Sequence, residues 1–154
     1  MVDSLTPEQR SAQMSRIRGA NTKLEVLVRK GLHARGLRYR LGGAGLPGRP
    51  DIVLPKYRTV VFVHGCFSHG HDCPLYRLPK TRTEFWEEKI GKNRARDQKV
   101  IAALEECGWH VLVVWECSLR GLKTSQQASA IDTLAHDIHS HQAQRSADRG
   151  KDAP

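Results

Sequence analysis

The chain has 154 residues, of which 39% are hydrophobic, which is enough apolar material for one buried core. No stretch approaches the ~18 uncharged apolar residues of a membrane span, and no basic, apolar signal segment opens the chain, so we expect one soluble, cytoplasmic domain. The formal net charge is +9, and residues 1–50 hold ten Lys and Arg against three Asp and Glu. This one-sided charge favours a polyanionic partner such as nucleic acid, with a merely soluble basic surface as the alternative.

The first elements in chain order are predicted to be helical. A short helix is predicted from Pro7 to about Ile17. Thr22-Lys23-Leu24-Glu25 matches a capping box, and apolar residues follow at helical spacing until Gly36. This pattern predicts an amphipathic helix over about residues 23–35.

Short apolar runs predict three strands of one sheet. Residues 42–50 are rich in Gly and Pro and form a loop that leads into a strand over residues 51–54. Residues 57–64 predict a buried central strand, and Pro55-Lys56 supplies the turn of this hairpin-like pair. Residues 109–115, which follow Gly108, predict a third core strand.

Two further helices are predicted in the second half of the chain. One spans about residues 83–107 and begins with a second capping box at Thr81 and Glu84. Cys107 lies near its end and is expected to be a small core residue. A terminal helix is predicted over residues 125–141. Residues 142–154 lack apolar residues other than Ala and the final Pro, so we expect them to be disordered.

The cysteines indicate a metal site. With no export signal, metal binding or burial of reduced thiols is favoured over disulfides. The segment between Cys66 and Cys73 follows one predicted strand and contains His69 and His71, and Cys117 follows another strand. Structural zinc takes four Cys or His ligands, so these three cysteines with either histidine predict a zinc site. A histidine-rich surface loop with buried thiols is the alternative.

A second group of residues is typical of a metal-dependent nuclease. Asp51 opens a strand, and Glu25 lies on the preceding helix. Restriction-endonuclease-type nucleases use such a layout, because an aspartate at a strand end is a rigid oxygen ligand for Mg²⁺. The alternative is that Asp51 caps a turn and Glu25 serves only its capping box.

The lysine that such nucleases carry on the second strand is absent, since the aligned triplet is Phe62-Val63-His64. Another proton acceptor is therefore needed. His64 and His69 lie at or just beyond the end of that strand, and histidine suits this role at neutral pH. The residue pattern does not decide between them, and either could instead be a solvent-exposed or zinc-supporting imidazole.

At this point the sequence resembles the very short patch repair DNA mismatch endonuclease family. The resemblance covers about residues 10–122. It rests on separate segments in the same order: Leu46-Pro47-Gly48-Arg49-Pro50-Asp51, Val63-His64-Gly65-Cys66-Phe67 with His69, His71 and Cys73, Thr81-Arg82-Thr83-Glu84-Phe85-Trp86, Lys89-Ile90-Gly91-Lys92-Asn93 and Val113-Val114-Trp115-Glu116-Cys117.

The resemblance implies a restriction-endonuclease-like α/β fold, with a mixed central sheet flanked by helices and a structural zinc site. It also implies an enzyme that nicks DNA 5′ to the thymine of a T·G mismatch, the lesion left when 5-methylcytosine deaminates. Asp51 would be the magnesium ligand, helped by the main-chain carbonyl of Val63. His69 would act as general base, and His64 and Glu25 would support the phosphate and the metal-bound waters.

The resemblance further assigns the zinc ligands and the DNA contacts. Zinc would be held by Cys66, His71, Cys73 and Cys117. Phe67 and Trp86 match aromatic side chains that enter the base stack beside the mismatch. Further DNA contacts are expected from Arg49, Lys89, Lys92 and Asn93.

We expect the chain to have three parts. Residues 1–20 would form a DNA-contacting arm or helix, residues 21–141 the endonuclease domain, and residues 142–154 a disordered tail. The protein is expected to be a monomer that binds duplex DNA with a T·G mismatch, and mismatch-repair proteins are further candidate partners.

The chain departs from the family pattern at two positions. Ser68 stands where a second aromatic residue is usual, which predicts a smaller wedge, and Val63 replaces a common threonine. Two other functions stay open: a site-specific nicking or restriction enzyme without mismatch preference, and a zinc-bearing DNA-binding module without catalysis.

Overall fold

The computed structural model describes residues 22–41, 43 and 45–151, and within them the chain alternates between helices and short strands. The helices are α1 (Lys23–Ala34), α2 (Thr83–Glu106) and α3 (Thr124–Lys151). The strands are β1 (Arg40–Leu41), β2 (Ile52–Leu54), β3 (Thr59–His64) and β4 (His110–Trp115). The predicted helix from Pro7 and the expected arm over residues 1–20 lie outside the described residues.

The strands form one mixed sheet in the order β1-β2-β3-β4. β2 and β3 are antiparallel, with Ile52 opposite Val61, which confirms the predicted hairpin. β4 runs parallel to β3, with His64 opposite Trp115. A parallel neighbour requires a crossover connection, and α2 provides it. The ends of β3 and β4 therefore meet at the edge of the sheet where β2 begins.

Helices cover both faces of the sheet because side chains alternate along its strands. On one face, Val61 belongs to a core with residues of α1 and α3, such as Leu32 and Ile138. On the other, Val60 and Phe62 pack with Leu104 of α2. The fold is therefore a mixed α/β sheet between helical layers, as predicted. None of the helices among the described residues is long and apolar enough to cross a membrane.

The predicted starts of α1 and α2 are both confirmed, but the capping box predicted at Thr81 and Glu84 is wrong. The Thr22 hydroxyl accepts a hydrogen bond from the backbone N–H of Glu25 at 3.3 Å. At α2 the N-cap is Arg82, in the left-handed region with φ 55° and without a side-chain cap. Thr83 donates its hydroxyl hydrogen bond to the carbonyl of Pro79 at 2.7 Å, which ties the start of the helix to the preceding loop.

Three further differences separate the structure from the sequence-based predictions. β1 was not predicted, because two exposed residues carry no hydrophobic pattern. Helix α3 continues to Lys151, so residues 142–151 are helical rather than disordered; Ala, Gln and Arg favour helix without an apolar stripe. Cys107 is exposed rather than part of the core, since it occupies the C-cap of α2.

Candidate metal and catalytic site

Most of the sequence-predicted site residues come together at one edge of the sheet. Asp51 directly precedes β2, and His64 ends β3. Cys117 follows β4, which ends at the same edge because it is parallel to β3. The topology therefore joins segments that are far apart in sequence.

Asp51 is held by its neighbouring strand and lies close to Glu25. The backbone N–H of Val63 donates a hydrogen bond to Asp51 Oδ2 at 2.7 Å. The pKa of Asp51 is raised to about 6, chiefly by burial and also by the nearby carboxylate of Glu25, which together outweigh the lowering by the Val63 hydrogen bond. Two crowded, partly buried carboxylates are a hard-oxygen environment in which a divalent cation would relieve the repulsion.

The two candidate bases stack on each other but have different environments. The rings of His64 and His69 are nearly parallel, with centroids 3.7 Å apart. His64 is only 7% exposed, and its buried Nδ1 has no hydrogen-bond partner among the described residues. The pKa of His64 is lowered to about 4, chiefly by burial and also by the adjacent His69, so His64 is neutral at physiological pH.

His69 has a carboxylate partner that the sequence interpretation missed. Its Nδ1 lies 2.6 Å from Oδ2 of Asp97 on α2, and both side chains are about one quarter exposed, at 26% and 24%. A carboxylate on Nδ1 fixes the ring and leaves Nε2 as the proton acceptor. Asp97 is 28 residues from His69 and belongs to no local motif. In the sequence it looks like any other polar residue of a long helix, so its role could not be predicted.

The predicted zinc ligands converge. The ligand atoms of Cys66, His71, Cys73 and Cys117 all lie within 4.8 Å of one another. His71 Nδ1 is 3.4 Å from the Cys117 sulfur and 3.7 Å from that of Cys66. Three thiols and an imidazole are a donor set that Zn²⁺ prefers, so the residues present fit this ion. Of the two histidines that spacing left as alternatives, His71 lies in the cysteine cluster and His69 lies against Asp97.

Polar and aromatic contacts connect this cluster to the sheet. The backbone N–H of Cys66 donates to Glu116 Oε1 at 3.2 Å, and the N–H of Cys117 donates to the Cys66 sulfur at 3.3 Å. The ring of Trp115 stacks on His71 at 4.1 Å and meets His64 edge-on at 5.3 Å. Trp115 therefore lies between the cluster and the stacked histidines.

Helix α2 fixes the loops on either side of the site. Gly70 has φ 61°, and a Cβ there would lie 2.7 Å from Arg94 Cδ and 2.8 Å from Ile90 Cγ2. Gly48, with φ 72°, leaves only 2.3 Å between such an atom and a side-chain carbon of Val100. Both loops approach the helix at positions where only glycine fits without displacement.

A cluster of aromatic side chains borders the site. The ring of Phe67 lies 5.4 Å from that of Trp86 and 6.4 Å from that of Tyr76. Phe85 is 43% exposed, and neither it nor Trp86 belongs to a core cluster. Lys89 Nζ lies over the Trp86 ring at 5.3 Å. The arrangement is a half-exposed aromatic surface edged by positive charge.

The remaining predicted DNA contacts have varied surroundings. Asn93 donates to the backbone carbonyl of Ser68 at 2.9 Å, so it also holds the loop. Lys92 is exposed and pairs with Glu88 at 3.1 Å. Arg49 is exposed, with φ 47°, in the loop before Asp51. Lys92 and Arg49 are available to a ligand at the surface.

Comparison with known proteins gives consistent matches. Residues 2–75 match the family described as DNA mismatch endonuclease Vsr. The protein of that name from Escherichia coli is 50% identical over 121 residues, which cover 79% of this chain and 78% of the relative. A Xanthomonas oryzae protein named Type II nicking enzyme V.XorIIP is 52% identical over 79% of this chain and 90% of its own length. Type II nicking enzyme V.NmeAIP of Neisseria meningitidis is 52% identical over 78% of this chain and 86% of its own.

Proposed function

Because the chain belongs to the very short patch repair, or Vsr, family of DNA mismatch endonucleases, we propose that it nicks one strand of duplex DNA 5′ to the thymine of a T·G mismatch. The observation that carries this proposal is the convergence of two crowded carboxylates and a carboxylate-bound histidine beside an exposed aromatic cluster. Phosphodiester hydrolysis needs the first two features, and recognition of a weakly stacked base pair needs the third.

Magnesium is the cofactor that suits the carboxylate pair. Asp51 would bind the ion directly, the main-chain carbonyl of Val63 would complete the protein ligands, and Glu25 would hold its waters. Mg²⁺ prefers one or two carboxylates and keeps several waters, which agrees with so few protein oxygens. When bound, the ion screens the phosphate and lowers the pKa of water.

His69 is the proposed general base. With its Nδ1 engaged by Asp97, its Nε2 is free to take a proton from the attacking water. His64 remains neutral, because burial lowers its pKa to about 4, and it supports His69 by stacking. The two histidines that the sequence could not separate therefore receive different roles: His69 accepts the proton, and His64 holds the base and supports the phosphate.

The cysteine and histidine cluster is proposed to hold structural zinc. All four of its ligands come from the protein, which leaves no position for substrate. The bound ion would fasten the loop that carries His69 to the segment after β4. Burial raises the pKa of the Cys66 thiol to about 12, and zinc binding would supply the stabilisation that makes this thiol ionise.

Phe67 and Trp86 are proposed to enter the base stack next to the mismatch, with Arg49, Lys89, Lys92 and Asn93 contacting the backbone. A mispaired step is cheaper to unstack than a paired one, so aromatic insertion favours the mismatch. Ser68 is exposed and adds no aromatic area to this wedge.

A second candidate function is strand nicking without mismatch preference. It is favoured by the names of several relatives, which are Type II nicking enzymes rather than mismatch endonucleases. The zinc-bearing binding module without catalysis is disfavoured, because such a module has no need of the Asp51 and His69 arrangement.

A nicking assay on matched duplexes tests the proposal. Duplexes that differ only in carrying a T·G or a C·G pair are incubated with the protein, with and without Mg²⁺. We expect Mg²⁺-dependent nicking 5′ to the mismatched thymine only, and none from Asp51→Asn, which keeps the Val63 hydrogen bond but loses the charge. Equal cleavage of both duplexes would support the second candidate, and no cleavage of either in several sequence contexts would contradict both.

A further inference from the structure

A cavity rich in positive charge lies at the edge of the sheet opposite the catalytic site. It is formed where the turn between β2 and β3 faces the last turns of α3, and it has a volume of about 470 Å³. Its lining includes Lys56, Arg58 and Arg145, with Gln142 and Ser146 as additional hydrogen-bonding groups. Among the residues that the structure describes there, three cations and no carboxylate line this space.

None of these three cations forms an ion pair among the described side chains. Other basic residues on the surface do, such as Arg35 with Asp132 and Arg120 with Glu116. Like charges gathered around one cavity repel each other, and an anion in the cavity would relieve that repulsion.

The cavity is also preorganised. Arg58 has a left-handed backbone, with φ 51°, and its guanidinium lies 4.4 Å above the Trp109 ring. The same guanidinium donates to the carbonyl of Cys107 at 3.1 Å. Opposite, His141 stacks on His110 at 4.0 Å, one helical turn before Arg145. A fixed guanidinium loses little conformational entropy when it binds an oxyanion.

A second cavity of about 360 Å³ adjoins the first and shares Pro55 and Lys56 with it. It adds Arg38 and Arg40, separated by Tyr39. We call the joined surface the turn groove and define it by its cations: Arg38, Arg40, Lys56, Arg58 and Arg145. A run of cations along a groove suits a ligand with repeated negative charges.

We propose that the turn groove is a second phosphate-binding site, which takes the backbone of a DNA segment other than the one at Asp51. The six residues of β3 separate the two edges by about 17–20 Å. A duplex that lies across the catalytic edge, with its axis perpendicular to the strands, therefore does not reach the groove. Four of the five groove cations are arginines, whose planar forks match phosphate oxygens. A second DNA contact would keep the enzyme on DNA between target sites.

The test counts DNA duplexes bound per chain and does not depend on nicking. Short, fully paired duplexes of about 12 base pairs are titrated at low salt into the full-length protein and into Lys56→Gln/Arg145→Gln. The control is Lys30→Gln/Lys123→Gln, which removes the same charge from exposed positions outside the groove. We expect two duplexes per chain for the wild type and the control, with the second at least about tenfold weaker in the groove variant.

A second arm identifies the source of the phosphate. His141 lies beside Arg145, so its ring resonances report on the groove when inorganic phosphate or duplex is added. Saturable shifts with inorganic phosphate that disappear in the groove variant, together with a single duplex per chain, would assign the site to free phosphate. If the groove variant matches the control in both arms, the proposal is overturned. The same result is expected if the groove serves an acidic protein instead of DNA.

Discussion

The two ligand clusters at the catalytic edge have opposite designs. The cluster of Cys66, His71, Cys73 and Cys117 is closed, with the ligand atoms of three thiols and an imidazole within 4.8 Å of one another. The site around Asp51 is open, and its crowded carboxylates offer few oxygen ligands to a cation. A site that only stabilises a fold gains from taking every ligand from the protein, whereas a site that does chemistry must leave positions for substrate and water.

The closed cluster also positions the open one. His69 lies in the loop between Cys66 and Cys73, and Trp115 contacts both His71 and His64. Loss of the closed cluster should therefore disturb both sites, whereas changes to the open site should leave the closed one intact. This asymmetry can be tested residue by residue.

The largest expected effect is in the closed cluster. Cys117→Ser and His71→Ala should each lose zinc and much of the folded population, because zinc-site binding energy is of the same order as the stability of a domain. Zinc content and circular dichroism of purified protein measure the two losses. Cys107→Ser is the matched control, since Cys107 is exposed and outside the cluster. Full zinc content in Cys117→Ser would contradict the assignment.

The next effect concerns the open site alone. His69→Ala should lower kcat for nicking by about 10²–10⁴-fold, the usual contribution of a general base, with zinc content unchanged. Asp97→Asn should lower kcat to a smaller extent and leave KM for DNA unchanged, because Asp97 only positions the ring. Asp137→Asn, on the exposed side of α3, is the control for the charge change. A fall in zinc content in His69→Ala would show that the two histidines were assigned the wrong way round.

The closed cluster could be predicted from sequence more fully than the open site. Cysteine is rare and chemically specific, so three cysteines after strand ends already indicate zinc, and the family resemblance supplied His71. Asp51 and Glu25 could be named because each occupies a recognisable local position. Asp97 could not be named, because its role arises from the packing of α2 against the loop at Gly70. The sequence of a helix does not show which of its turns will lie against a histidine from a distant loop.

The same limit explains the errors in the fold. Strands β2, β3 and β4 follow from apolar runs, and hairpin pairing follows from the short turn. The wrong capping box at Thr81 has the right residue types, but tertiary contacts of the preceding loop decided the geometry. The extra helix beyond residue 141 lacks an apolar stripe, which is the feature that pattern analysis detects.

A smaller effect is expected from the open site on the folding stability of the protein in the absence of Mg²⁺. The pKa of Asp51 is raised in the folded protein, from 3.8 to about 6. Its charge therefore destabilises the fold progressively as the pH rises from about 4 to about 6, and the penalty persists above that range. Asp51→Asn should unfold at a higher temperature than wild type at neutral pH, by up to about 3 kcal/mol in free energy.

The comparison with Mg²⁺ present sharpens this prediction. The ion should stabilise the wild type far more than Asp51→Asn, because Asp51 is the carboxylate proposed to bind the ion directly and the variant keeps only that of Glu25. Thermal melts at several pH values, with and without Mg²⁺, measure both effects, and Asp137→Asn again controls for a lost charge. A wild type that is more stable than Asp51→Asn at neutral pH without Mg²⁺ would show that the carboxylate is already satisfied by the protein.

The smallest effect is expected at the aromatic cluster beside the open site. Trp86 is half-buried but lies outside both hydrophobic cores, against Phe67 and beneath Lys89. Trp86→Ala should weaken binding to a T·G duplex by about 1–3 kcal/mol, the scale of base–aromatic stacking, with little change in melting temperature. Phe62→Ala removes a side chain from the core beneath α2 and creates a cavity. It should therefore lower the melting temperature with little change in DNA affinity. If Trp86→Ala loses as much stability as Phe62→Ala, the ring is a structural element of the fold, and the base stack must be entered by Phe67 or Phe85 instead.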